Sequence, residues 1–504
     1  MGTLLRGGMI VTATESRRAD LRIEGEQIAA IGENLERQLG DRVIDVTGAL
    51  LFPGGVDAHT HFDLPVGDFA TADDFASGSL AALFGGTTTI IDFATQFRGE
   101  TLMTALENWH ERTRGKCLCD YGFHMAITDW REKTPDEMAI LVREKGVSSF
   151  KLYMAYKQFL QVDDGILFQA LRRAREIGAL VGLHCENGDV IDVLVREFRQ
   201  QGKKAPWFHP RSRPPAVETE AVNRAIALAR MVEAPLYIVH LSARQSLEAA
   251  EAARRQGLTV YVETCPQYLL LDESRYGSDG NCSGSGGNGS SSGGNRSNID
   301  GNHSGRDGCC SVSRSIDGSD PFEGAKYVIS PPLRSKEHKE ALWSGLARGA
   351  IDTVATDHCA FFYRGQKDKG RDDFSRIPNG MPGVEHRLGL LYTYGVATGR
   401  ISLNQFVSLT ATRPAQLFGI FPRKGTIAVG ADADIVVWDP ATGMEITNDN
   451  HHYRLDYNPY AGFRQIGRPA HVFLRGRLIV RHGVLIDTTP GGRYLFRESS
   501  RILY

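Results

Sequence analysis

The sequence predicts an α/β protein: a (β/α)8 barrel carrying a small β-sandwich domain assembled from both chain ends. Three observations lead there. Short β-branched runs alternate with helical stretches through the middle of the chain. Several of those runs finish on a residue able to do chemistry: Val147–Phe150 on Lys151, Ala179–Leu183 on His184, Pro235–Val239 on His240, and Ile351–Thr356 on Asp357. Strand-like segments also return at both termini. Parallel strands whose C-terminal ends carry functional groups are the signature of a barrel with its site on that face.

From the N-terminus, residues 1–52 read as short strands at Leu4–Arg6, Met9–Val11, Leu21–Ile23, Ile28–Ile31 and Val43–Asp45, punctuated by Gly, Asn and Asp. Comparable strands recur at Ala433–Trp438 and between Val472 and Ile486. Neither set buries itself easily alone, so the two are expected to pair, with residues 1–52 and 425–504 flanking a barrel at 53–424. Within the barrel, further strands are read at Thr87–Phe93, Tyr121–Ile127 and Leu258–Glu263. Helices are read at Ala221–Met231 and Ser246–Gln256, the latter stopped by Gly257. From about 277 to 320 the chain is rich in Gly, Ser and Asn. Such a segment buries too little apolar surface to offset its ordering entropy and is expected to be a mobile loop. Its Asn-x-Ser triplets at Asn281, Asn288, Asn295 and Asn302 are what that composition yields by chance.

Composition narrows the function. With 58 Lys+Arg against 60 Asp+Glu, the formal charge of -2 predicts no nucleic-acid partner and no anionic membrane surface. Hydrophobic residues at 41% support a sizeable core, and no apolar run is long enough to span a bilayer. The first residues lack the apolar stretch of a secretory signal, and Arg6 stands where myristoylation wants Ser or Thr. Eight cysteines without metal-finger spacing, three of them inside 277–320, do not make a disulfide framework. A cytoplasmic enzyme is expected.

The chemistry centres on His59-Thr60-His61, directly behind Gly54–Ala58. Residues i and i+2 of a strand share a face, so both imidazoles point into one site. Neutral imidazoles are natural transition-metal ligands. Together with Lys151, His184, His240 and Asp357, they can build a binuclear centre. A lysine ammonium has no lone pair to offer. Once its amine has reacted with carbon dioxide, however, the resulting carbamate has two anionic oxygens able to bridge two divalent cations. Water between the cations would be acidified into a hydroxide nucleophile near neutral pH. Asp357 can bind one metal and carry the proton to the leaving nitrogen.

These residues sit in stretches that make the chain recognisable. Gly55–His61, Phe150–Lys157, His184–Asp189, Glu263–Leu269, Ser330–Arg334, Ile377–Gly380, Arg423–Gly430 and Asp456–Pro459 together resemble the dihydropyrimidinase/hydantoinase group of cyclic amidohydrolases, most of all bacterial D-hydantoinases. The resemblance spans nearly everything except about 277–320. It implies an amidohydrolase-type barrel in which His59 and His61 bind one metal and His184 and His240 the other. Lys151, as N6-carboxylysine, bridges them, and Asp357 completes the first. The implied metal is zinc, with manganese or cobalt as alternatives. Tyr156 is implied to donate its phenol to the developing oxyanion, and Ser330 and Asn379 to hold the cyclic imide, largely through backbone groups. The substrate implied is a small cyclic ureide, hydantoin or dihydropyrimidine, opened to an N-carbamoyl amino acid. A homotetramer, or homodimer, is implied as well.

Two departures stand out. Ala360 follows Asp357-His358-Cys359 where the group usually has proline, and Cys185 adjoins His184 with no charge partner to make it reactive. An allantoinase or dihydroorotase is the nearest rival, disfavoured by Tyr156 in its Met-Ala-Tyr-Lys setting. A non-catalytic scaffold of the same fold is the rival of another class, and retention of all six candidate ligands argues against it.

Overall fold

The computed structural model describes residues 2–277 and 320–499. The Gly/Ser/Asn-rich stretch expected as a mobile loop, with its four triplets, therefore lies outside the described residues apart from its two ends. Among the described residues, eight parallel strands run in sequential order around a barrel: β1 (Gly55–Thr60), β2 (Thr87–Thr95), β3 (Asp120–Ala126), β4 (Ser149–Tyr153), β5 (Leu180–His184), β6 (Leu236–Ile238), β7 (Val260–Thr264) and β8 (Thr353–Val354). A parallel bridge between Thr60 and His358 brings the last strand back to the first, and His61 N donates to His358 O at 2.8 Å. Every residue of β2, from Thr87 to Thr95, is buried, as a strand covered on both faces requires.

The covering helices follow the expected period. Asp164–Glu176 is started by Asp163, whose carboxylate accepts from Ile166 N, and it buries Leu167, Ala170, Leu171 and Ala174 on one stripe. Each buried leucine of such a stripe contributes about 1.5–3 kcal/mol. The helix expected at Ala221–Met231 begins earlier, at Pro215, because proline suits the first turn. The one expected at Ser246–Gln256 spans Arg244–Arg255, and Gly257 at φ +86° ends it.

Among the described residues, strands from the two terminal regions join one nine-stranded sheet beside the barrel. Leu50–Pro53 pairs antiparallel with Ile435–Glu445, setting Pro53 opposite Ile435 and Leu51 opposite Val437. Leu5, Ile10, Leu21 and Ile23 share a core with Ile435, Val437 and Phe473, so each end buries the other's apolar face. The separate strands expected at Leu4–Arg6 and Met9–Val11 are one strand, Thr3–Val11, interrupted by a register shift between Leu5 and Gly8. Gly7, at φ +78°, makes that bulge. Among the described residues, no helix is long and apolar enough to cross a membrane, and Cys117, Cys119, Cys185, Cys265 and Cys359 are free and buried.

Candidate metal centre and active site

The C-terminal ends of the strands converge on one buried cluster. His59 lies within β1 and His61 just beyond it, with ring centroids 5.3 Å apart. Asp357, three residues past β8, sets Oδ1 3.2 Å from Nε2 of both His59 and His61. His240, two residues past β6, has its ring centroid 5.4 Å from that of His59 and 4.7 Å from that of His184, the last residue of β5. Nδ1 of His184 faces Nε2 of His240 at 3.0 Å. Donor atoms of His59, His240 and Asp357 all lie within 4.8 Å of one another.

Lys151 does not terminate its strand as the sequence suggested. It is the third of five residues in β4, with its ammonium 5.0 Å from the Phe93 ring and 5.2 Å from the Tyr153 ring. Phe150 before it and Leu152 after it point into apolar packing, which leaves Lys151 facing the barrel interior by strand alternation.

Backbone geometry helps to aim these groups. His240 (φ 37°), Asp357 (φ 52°) and Tyr156 (φ 67°) all adopt left-handed conformations that residues with a Cβ seldom take. Each costs on the order of 1–3 kcal/mol, and such strain gathers at functional sites. Sequence reasoning had no access to it.

Electrostatics set the protonation states. Burial pushes the imidazoles of His59 and His240 well below their ordinary range, and Lys151 nearby pushes the same way, so both rings are neutral and able to donate a lone pair. Burial also lowers Lys151 to about 8, against the opposing pull of Asp357 and Glu263. Near neutral pH a usable fraction of its amine is therefore uncharged. Asp357 keeps an ionised carboxyl: burial raises it, but His59, His61 and Lys151 together more than offset that.

These residues fit a pair of divalent cations. His59 Nε2 is buried and has no hydrogen-bond partner among the described residues, and the same holds for His240 Nδ1. A buried unpaired ring nitrogen beside a carboxylate is costly unless a ligand satisfies it.

A second set of side chains orients the first, and sequence reasoning did not single it out. Glu263 lies 2.6 Å from His59 Nδ1 and also accepts from His240 N and the Tyr237 hydroxyl. Glu186 sits 2.8 Å from His184 Nε2 and accepts from Arg213 at 2.7 Å. Asp57 accepts from Thr356 N and Oγ1, tying β1 to the segment that carries Asp357. A carboxylate inside an apolar strand run was the available signal for Asp57 and Glu263, since a buried acid needs a partner.

Tyr156 stands at the rim of the cluster, its ring centroid 5.1 Å from that of His184. Enclosure raises its phenol to about 12, partly countered by Arg213, Ser330 and Asn379, so it is a proton-bearing donor at neutral pH. Asn379 Nδ2 donates to Ser330 Oγ at 2.9 Å, which joins the two loops expected to hold a substrate ring. Cys185 is buried and its thiol pushed up by that burial, which makes it a packing residue.

Fold and cluster together define a β/α-barrel protein whose functional groups gather at the C-terminal mouth of the barrel. Residues 50–479 match the Amidohydrolase family, and the chain belongs to it. It is 45% identical over 497 residues to a D-hydantoinase of Geobacillus stearothermophilus, covering 99% of this chain and 97% of that one. It is 42% identical to a D-hydantoinase of Streptomyces coelicolor, covering 99% of both. The crystal structure of a dihydropyrimidinase from Brevibacillus agri superposes with a TM-score of 0.89 at 43% identity, covering 99% of each chain.

Proposed function

We propose that this amidohydrolase opens the cyclic amide of hydantoins, above all 5-substituted hydantoins of D configuration, and of dihydropyrimidines, releasing N-carbamoyl amino acids. The observation that carries this reading is Asp357 Oδ1 held 3.2 Å from both members of the His-x-His pair, next to a buried lysine that forms no ion pair among the described residues. The names borne by relatives at 40–45% identity over the whole chain supply the substrate class.

In this reading His59, His61 and Asp357 would hold one divalent cation, His184 and His240 would hold the other, and Lys151, as a carbamate, would supply anionic oxygens to both. Zinc is the proposed metal, with manganese or cobalt as substitutes. When bound, the cations supply Lewis acidity that activates water and polarises the ring carbonyl. The Lys151 amine, largely desolvated, is suited to capture carbon dioxide because its neutral form is accessible near pH 8. Asp357, ionised, takes the proton released from water and delivers it to the departing ring nitrogen. Tyr156 donates to the carbonyl oxygen as charge develops there, a preorganised contact that strengthens in the transition state. Ser330 and Asn379 orient the imide edge of the ring. The same proposal includes a homotetramer or homodimer in the cytoplasm and the three-part division at residues 52 and 424.

A panel of hydantoin, both hands of a 5-substituted hydantoin, dihydrouracil, allantoin and dihydroorotate, run beside metal analysis, tests it. The expected result is two metals per chain and fastest turnover of the D-substituted hydantoin. Preference for allantoin or dihydroorotate would overturn the substrate assignment.

A further inference from the structure

One fully buried lysine plays no part in the chemistry above. Lys367 has no exposed surface and belongs to a short turn, Lys367–Gly370, in the connection that follows Asp357. Its Nζ donates to Val328 O and to Pro378 O, both at 3.0 Å. Val328 stands two residues before Ser330, and Pro378 one residue before Asn379. A single amine therefore spans the two loops that carry the proposed ring-binding groups.

The surroundings show that this is a built feature. Around Ser330, the carbonyl of Ile329 is taken by His209 Nε2 at 2.7 Å and that of Pro331 by the Tyr268 hydroxyl at 2.7 Å. With Lys367 on Val328, three buried side chains from three separate elements hold the carbonyls flanking Ser330. Between the loops, Gly380 N donates to Val328 O at 2.9 Å and Asn379 Nδ2 to Ser330 Oγ at 2.9 Å. Val328 O thus keeps one partner without Lys367, whereas no other donor to Pro378 O is seen among the described residues. Among the described residues no carboxylate contacts Lys367, and burial lowers its amine to about 7. A buried lysine that meets carbonyls and no acid is costly to keep. An apolar residue would fill the space at less expense but leave a buried carbonyl unpaired.

We propose that Lys367 is a positioning residue that locks the Ser330 and Asn379 loops into one rigid clamp for the imide edge of the substrate. This rests on the reading that Ser330 and Asn379 hold the ring. Because the clamp acts on the bound ring before and during the reaction alike, its loss weakens uniform binding, so KM moves more than kcat. A residue serving only general stability would lower the melting point without that split.

The test compares the metal-loaded wild-type protein with Lys367→Met and Lys367→Gln on hydantoin, with hydrogen exchange followed at residues 326–333 and 376–381 in the presence and absence of saturating hydantoin. For Lys367→Met, KM should rise about tenfold while kcat and metal content stay within about twofold, as loss of a uniform binding contribution requires. Both segments should exchange faster together. Lys367→Gln, which keeps two N–H donors, should recover part of the KM change, and it carries the comparison if the Met variant does not fold. Unchanged KM in a folded Lys367→Met protein, or faster exchange in one segment alone, overturns the clamp. If saturating hydantoin slows exchange in neither segment of the wild-type protein, the ring-binding assignment beneath the proposal fails instead, and joint exchange of the two segments in Lys367→Met still decides whether Lys367 couples them.

Discussion

Glu263 Oε1, on β7, lies 2.6 Å from Nδ1 of His59, on β1 and 204 positions away in the chain. The contact fixes which ring nitrogen faces the centre: with Nδ1 engaged, Nε2 is turned toward Asp357. Partners of this kind set the tautomer and raise the basicity of a ligating imidazole. Replacing Glu263 by Gln should therefore weaken metal affinity by about 10–100-fold while leaving the fold intact. Competition with a chelator of known affinity measures it, and unchanged affinity would remove Glu263 from the site.

Tyr156→Phe keeps the ring but deletes the donor. The variant should keep wild-type metal content and lose about 10²–10³ in kcat, the usual loss when one oxyanion donor is removed. Steady-state kinetics with metal analysis on the same sample decide it. Wild-type turnover would exclude the role.

Lys424 joins the two parts of the molecule. Its Nζ contacts Asp120 of β3 at 2.6 Å, Asp434 at 2.7 Å and Asp432 at 3.0 Å, with all but Asp432 deeply buried. Lys424→Met leaves buried carboxylates without their cation, which should cost about 3–5 kcal/mol. Denaturant unfolding should show the loss with metal content per folded chain unaltered. A midpoint like that of the parent protein would mean Arg475, also paired with Asp120, is a sufficient counter-ion.

Two buried histidines away from the metal cluster predict an acid limb of stability. Burial lowers His209 to about 3 and His386 to about 4. In the unfolded chain both would titrate near 6.5. Between pH 6.5 and those lower values the unfolded state binds more protons than the folded one. Stability is then complete above pH 6.5 and declines as the pH falls toward 3. His386→Gln, which retains an acceptor for Asn458 Nδ2, should flatten the fall in melting temperature between pH 6.5 and 4. An unchanged slope would contradict the assignment.

Much of the barrel could be read directly from the chain because strand periodicity is local. Each of the eight runs read as barrel strands became one, and His59, His61, His184, His240 and Asp357 meet as their strand ends implied. What stayed hidden depends on contacts distant in sequence or on backbone torsion. Nothing near His59 announces Glu263, nothing near Ser330 announces Lys367, and the left-handed backbones of His240, Asp357 and Tyr156 are imposed by the surrounding fold. Lys151 shows the finer limit: its strand was recognised, but the run read before it, Val147–Phe150, stops three residues short of where hydrogen bonding continues, to Tyr153. Gly7 shows the converse, a glycine read as a strand break that is a bulge inside one strand.

The proposed chemistry requires Lys151 to be carboxylated in the working enzyme. Carbon-13 magnetic resonance of metal-loaded protein prepared in labelled bicarbonate reports this directly. One carbamate signal per chain, absent from Lys151→Ala, whose metal and activity are lost together, is the predicted result. An active, fully metallated protein with no carbamate signal would contradict it.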